Sequence, residues 1–416
     1  MSVRRDGPIA AFAPVALLSA LPVLAALWKQ GPCLDQGWGG REPFWRFCYS
    51  DLAVGVQTSG ADRGLGAWLS GEVPLEHPPL TGAVVSLVAG LAPGDGTLGT
   101  QRWVLGVWAV LAVAALVLLA RWVRSTPDHP RADPLQVAVA PVAALTLLLS
   151  PDLLGVVLAT GGLWAWSRRY PALAGVLLGS GLMARTYPGL LLVVVALHAW
   201  RTGRERDLVR VAGGALAAIV LVAGPLLLTS PSTLTRAWTA SFDGAAGLGS
   251  VWYLPTLAGA AWSPSVLTVV SVLGVVVAVV LAGVLVLGAP RTPSLAAVAL
   301  VVVAVLLVTG RAFPVQSSLW LVPLVALAGL RWRDHLVWAL AEAVHFVAVW
   351  LYLGGLQDAN RSLPASWYAV ALLVRVAAVV FLAVRAWQGA TPDAPVEGAE
   401  GEPVRGAAVD AGSGRI

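Results

Sequence analysis

Charge is what this sequence lacks most. Only 12% of its 416 residues are Asp, Glu, Lys or Arg, about half the share found in soluble domains. That composition excludes an ordinary water-soluble globular chain. Lysine is nearly absent: Lys29 stands alone, and arginine supplies the rest of the cations behind the net charge of +5. Those arginines gather near the ends of apolar runs, a pattern that reports orientation in a membrane and not nucleic-acid binding. Cysteine is limited to Cys33 and Cys48, with no Cys/His finger spacing. There is no P-loop, no dinucleotide fingerprint and no internal repeat.

What the sequence does have is apolar length. Hydrophobic residues make up 58% of it. The run from Val266 to Gly288 exceeds the roughly 20 residues that cross a ~30 Å hydrocarbon core. We expect an all-α integral membrane protein, a polytopic helical bundle with roughly 11–13 membrane segments. Residues 1–7, with Arg4 and Arg5, read as a cytoplasmic N-terminus. The membrane domain covers 8–388 and begins with a retained span at 8–28, since no small-residue cleavage site follows. A long outside loop, 29–78, is rich in Trp and Gly. Residues 80–92 are apolar but short, either a short span or an interfacial helix. Further apolar segments fall at 103–121, 134–150, 152–167, 171–184, 187–200, 208–229, 266–288, 293–310, 317–331, 335–353 and 367–387. Arginine clusters at 121–131, 168–169, 201–210, 331–333 and 385 belong inside. His129 and His335 fall in these basic loops and read as surface residues. The tail, 389–416, is Gly, Ala, Pro and acid-rich and should be disordered in the cytoplasm. Both cysteines lie in the first outside loop. A disulfide closing about 16 residues is one reading there, two unpaired thiols the other.

Candidate chemistry gathers at the outside ends of these segments. Asp51 follows Phe47-Cys48-Tyr49-Ser50 in the first loop. A carboxylate there can accept a proton from a hydroxyl or cap a helix. Glu76-His77-Pro78-Pro79 stiffens the entry to the next helix. Glu76 could hold a sugar hydroxyl or, if any residue does, a divalent cation; His77 could face a phosphate. Arg185, in the turn Met183-Ala184-Arg185-Thr186-Tyr187-Pro188, is a costly charge among apolar residues and suits a lipid phosphate. Arg311 and Gln316 stand at the outside end of another helix, where an amide can bind a sugar or head group. Glu342 and His345 lie one turn apart within the membrane, with Arg375 midway along the last span; a satisfied bundle contact is the expectation for these.

Taken in order, several stretches resemble the polyprenol-phosphate-dependent membrane glycosyltransferases of the GT-C superfamily, most nearly glycosyltransferase family 87 of actinobacteria. They are Cys48-Tyr49-Ser50-Asp51-Leu52, Glu76-His77-Pro78-Pro79-Leu80-Thr81-Gly82, Ala174-Gly175-Val176-Leu177-Leu178-Gly179, Arg185-Thr186-Tyr187-Pro188, Leu248-Gly249-Ser250-Val251-Trp252-Tyr253, Gln316-Ser317-Ser318-Leu319-Trp320, Trp332-Arg333-Asp334 and Trp367-Tyr368-Ala369-Val370. The resemblance implies an inverting hexosyltransferase in the plasma membrane. It would move a sugar, often mannose, from a polyprenyl-phosphate donor to an envelope glycan or glycolipid on the outer face. Asp51 would be the base and Arg185 the holder of the donor phosphate. Glu76, His77, Tyr187, Gln316 and Arg311 would position substrate. The chain departs from the family where Lys is common at position 185 and Tyr at position 77. It also lacks Ser-Pro-Gln-Tyr near 314–317, so Gln316 reads as displaced. A lipid-linked sugar flippase, or an inactive partner in envelope assembly, is the alternative function.

Overall fold

The computed structural model describes residues 12–94, 96–126, 131–356 and 358–390, without the side chains of 241–243 and 359. The expected cytoplasmic N-terminus, His129 and nearly all of the 389–416 tail lie outside the described residues. Among the described residues every regular element is a helix. The longer ones, in chain order, are α1 (Ala13–Gln36), α2 (Asp51–Ser59), α3 (Pro79–Gly90), α4 (Thr97–Ser125), α5 (Asp152–Ser167), α6 (Pro171–Ala184), α7 (Pro188–Arg201), α8 (Glu205–Thr229), α9 (Pro231–Asp243), α10 (Pro264–Gly288), α11 (Leu295–Thr309), α12 (Trp332–Gly355) and α13 (Ala365–Ala390). Six of them, α1, α4, α8, α10, α12 and α13, are long and apolar enough to cross a membrane. The chain is thus a helical membrane protein. The remaining apolar helices have 10–17 residues.

Local chemistry sets the helix starts. Pro79, Pro171, Pro188, Pro231 and Pro264 each open a helix, where the missing N–H goes unused and φ is already helical. Ser263 and Ser294 cap α10 and α11, accepting from Val266 and Ala297 N–H groups at 3.4 and 3.1 Å. α11 is apolar all round and nearly wholly buried, as a central helix must be; α7, α10 and α13 pack around it. Small residues let α6 and α8 touch: a Cβ on Gly179 would meet the backbone of Ala215 at 2.6–3.0 Å. Close approach of this kind replaces a hydrophobic driving force between helices in lipid.

Several boundaries differ from the sequence reading. α1 runs to Gln36, so residues 29–36 are helix and the first loop starts later. That loop is itself helical, with Glu42–Trp45, α2, Ala61–Arg63 and Gly64–Leu69. The expected segment 134–150 is two short helices, Leu135–Ala138 and Pro141–Thr146. Ala140, ahead of Pro141, leaves the helical region with ψ at 120°, as a residue before proline tends to. α3 has 12 residues, about 18 Å of helix. It starts at the 184–188 turn, where the Thr81 hydroxyl donates to Ala184 O at 2.8 Å, and ends against Gly64 of the first loop. It does not cross. His335 is fully buried, stacked on Trp332 and edge-on to Trp338. α12 begins one turn before the expected start, which turns His335 onto the face shared with Trp338 and Glu342.

The arginine clusters come together at one end of the bundle. Arg168 donates to Ser125 O (3.5 Å), Arg201 to Ala289 O (2.9 Å) and Arg385 to Asp334 (3.4 Å), while Trp332 Nε1 donates to Asp133 (2.8 Å). At the other end Cys33 and Cys48 form a disulfide, with Cα atoms 5.8 Å apart. It ties the end of α1 to the strand of chain leading into α2. Closing a loop of this length stabilises by about 3 kcal/mol. Reduction should therefore lower the thermal midpoint by several degrees; an unchanged midpoint in a scan with and without reductant would contradict this.

Candidate active site

The site is built from four segments that meet at the disulfide end. The first carries Asp51. Cys48, tied to α1, leads to Ser50, whose extended backbone breaks from α2. The Ser50 hydroxyl donates to Leu148 O and the Asp51 N–H to Leu149 O, both at 2.7 Å. Lys29 Nζ donates to Leu145 O at 2.6 Å, so the single lysine pins the same 145–149 segment. Asp51 opens α2, where the helix dipole favours a carboxylate. Its side chain accepts from Gln316 Nε2 at 3.2 Å and from the Tyr49 phenol. Burial, and then the Asp152 charge, push the Asp51 carboxyl above the usual carboxylate range; Tyr49, Arg185 and Gln316 offset this only in part. Burial and the neighbouring Asp51 raise the Tyr49 phenol in turn, so it stays a proton donor.

The second and third segments carry Asp152 and Arg185. Asp152 opens α5 after Ser150-Pro151 and is buried, at 2% exposure. Oδ1 accepts from the Ser150 hydroxyl (2.7 Å) and pairs with Arg185; Oδ2 accepts from Trp320 Nε1 (2.6 Å). Arg185 caps the end of α6 in extended backbone, and its side chain is 19% exposed. Gly155 makes this pairing possible, since a Cβ there would sit 2.7 Å from Arg185 Cγ. Tyr187 packs behind: it is buried, stacks on Trp320 at 4.5 Å and donates to Gly155 O at 3.3 Å.

The fourth segment is the 3₁₀ stretch Val315–Trp320, held from behind by Arg375 of α13. That guanidinium is wholly buried and fully used. It pairs with Glu342 (2.8 Å), donates to Phe313 O, to Pro314 O (3.1 Å) and to the Ser318 hydroxyl (2.7 Å), and lies 3.5 Å over the Phe313 ring. Trp338 Nε1 donates to the other oxygen of Glu342 at 3.0 Å. Glu342 and Arg375 are thus a satisfied bundle contact that also fixes the segment bearing Gln316.

Together with the 76–78 loop and α9, these segments enclose a polar cavity of about 230 Å³ lined by Glu76, Asp152, Arg185, Trp238, Gln316 and Trp320, among others. A second cavity of about 260 Å³ shares Thr186, Ala312 and Trp320 with it and continues between α10 and α11 past Val275, Leu306 and Leu307. Its walls are mostly apolar. A polar chamber with one guanidinium and an apolar extension suits an amphiphile with an anionic head.

The sequence candidates fall differently around this chamber. Glu76, Arg185 and Gln316 line it. Asp51 stands behind Gln316 and reaches the chamber through it. The 3₁₀ turn brings Gln316 onto Asp51. Tyr187 does not face the chamber; it buttresses Trp320. Arg311 lines the apolar extension and donates to Gly244 O and Pro264 O. His77 is half-buried; burial, and then the Arg185 charge, lower its pKa to about 4. It is neutral near pH 7 and gives a phosphate no charge. The sequence reading passed over Asp152, Trp238 and Tyr49. Asp152 was visible as an acid opening an apolar run, a signal that marks function by default. For a divalent cation the fit is poor. Among the described residues no three His, Cys, Asp or Glu side chains converge, and both Asp152 oxygens are engaged. No family model and no curated protein matches the chain.

Proposed function

We propose that this protein is an inverting, GT-C-type hexosyltransferase of the plasma membrane. It moves a sugar, mannose being the first choice, from a polyprenyl-phosphate donor to an envelope glycan or glycolipid on the outer face. The observation that carries this reading is the polar chamber at one end of an apolar bundle, with Arg185 in its wall and an apolar extension between α10 and α11. Sidedness rests on two supports. Arginine-rich ends face the cytoplasm, and disulfides persist in oxidising compartments; here they lie at opposite ends.

The chemistry follows from the two acids. Asp152 already has a cation and two further donors, so both of its oxygens are engaged. Asp51 has only neutral donors and a raised proton affinity, which suits a general base. An acceptor hydroxyl takes the place of the Gln316 amide on Asp51. As Asp51 removes its proton, the hydroxyl oxygen attacks the anomeric carbon from the side opposite the phosphate. The bond to the phosphate oxygen breaks and configuration inverts. Arg185 stabilises the departing lipid phosphate, as charge-assisted hydrogen bonds do best. Glu76 and Trp238 meet the sugar in the chamber.

Arg185→Lys keeps the charge but loses the planar set of donors. We expect the variant to fold and turn over with a donor KM up by about tenfold, measured by steady-state kinetics. An unchanged KM would remove Arg185 from the phosphate site. The function itself is tested with purified wild type in lipid, labelled polyprenyl-phosphate-mannose and an envelope glycolipid extract. Label appearing on the glycolipid supports transfer. Label staying on the polyprenyl phosphate but changing leaflet would make the protein a flippase instead.

A further inference from the structure

The arginine-rich end carries a cleft of its own. It has a volume of about 330 Å³ and opens between the start of α1 and the C-terminal ends of α4 and α5. Arg121, Arg124 and Arg168 line it together with Phe12, Trp122 and Trp164. No carboxylate does, and none of the three arginines forms an ion pair among the described residues. Arg124 lies over the Phe12 ring at 5.6 Å, and Arg168 makes one long bond to Ser125 O.

The ordinary role of such arginines is to offset helix dipoles. Two helix C-termini meet here, α4 and α5, and each carries about half a negative charge. Among the described residues three guanidiniums exceed that, leaving a net charge of roughly +2 in one small cleft. The surplus matches one phosphate group. The cleft's depth is marked by Trp122 and Trp164, stacked at 5.6 Å, with Trp164 Nε1 donating to the Ser125 hydroxyl at 2.9 Å. Indoles of this kind sit at head-group level. Basic pockets between membrane helices on the inner side take acidic head groups.

We propose that this cleft binds the phosphate of an anionic membrane lipid in the leaflet opposite the active site. The assignment is independent of the transferase reading. It also gives these arginines a role beyond orienting the chain.

The test uses the full chain purified from mixed phosphatidylglycerol and phosphatidylcholine membranes, with retained lipid read by native mass spectrometry. The variant is Arg121→Gln/Arg124→Gln/Arg168→Gln. Its residues are exposed, so the fold should hold, as checked by circular dichroism. A charge-matched control, Arg206→Gln/Arg291→Gln/Arg331→Gln, removes three exposed arginines elsewhere on the same end. Wild type and control should retain phosphatidylglycerol over phosphatidylcholine. The cleft variant should lose that preference by at least about tenfold, since each arginine near an anionic surface is worth roughly fivefold. Equal loss in the control, or no preference in wild type, would overturn the site. A third arm titrates inorganic phosphate into protein in uncharged detergent. Binding there with the same sensitivity to the cleft variant would show a soluble phosphate as occupant and overturn the lipid assignment.

Discussion

Replacing Asp51 by Asn should lower sugar transfer by about 10²–10⁴-fold, the range a positioned general base contributes, while the protein stays folded. The two expectations are linked through one carboxyl group. Burial raises the proton affinity of Asp51 in the folded state. Its protonated form is therefore the one the fold favours. The stability that goes with it is present at acid pH and is lost as pH rises through the raised folded-state value. Above that value the ionised Asp51 is a liability to the fold, so there Asp51→Asn should leave the thermal midpoint unchanged or higher. In wild type, transfer should rise with pH as Asp51 deprotonates, with a midpoint above the ordinary carboxylate range of about 4. That acid limb should vanish from whatever activity Asp51→Asn retains. A variant that loses activity and stability together would mark Asp51 as a structural cap.

The second large effect falls on stability. Arg375→Leu strips the partner from a buried carboxylate, which typically costs about 3–5 kcal/mol. It also leaves Phe313 O and Pro314 O without their donor. We expect a strong drop in thermal midpoint in detergent, or failure to accumulate. Arg375→Leu/Glu342→Leu removes both charges, and apolar replacement of a buried pair is often neutral. The double variant should recover the part of the stability lost to the unpaired charge, though not the part lost with the donor to Phe313 O and Pro314 O. It should not recover activity, because the Val315–Trp320 segment has lost the bonds that hold Gln316 against Asp51 and Trp320 against Asp152. Recovered stability with full activity would mean that Arg375 serves the fold alone.

Much of the architecture was legible in the sequence because prolines and apolar runs mark helix limits locally. Residues 171–184 were expected as a segment and form α6 with those bounds, opened by Pro171. The misreadings had local causes too. Pro141 splits the 134–150 run, and the early start of α12 buries His335. The site was legible only as a set of separate residues. Asp51 and Gln316 are 265 positions apart, and no spacing rule joins them. Arg185 read as a costly charge among apolar residues, yet naming Asp152 as its partner needed the close approach that Gly155 permits. Tyr187 was expected to position substrate only because the resemblance implied it; its stacking on Trp320 could not be read from the chain.

The most direct test of the central claim compares wild type with Asp51→Asn, each reconstituted in lipid with labelled polyprenyl-phosphate-mannose and glycolipid acceptor. Transfer by wild type, and its loss by about 10²-fold or more in a variant with an unchanged thermal midpoint, is the outcome required of a base at Asp51. Equal transfer by both proteins would contradict it.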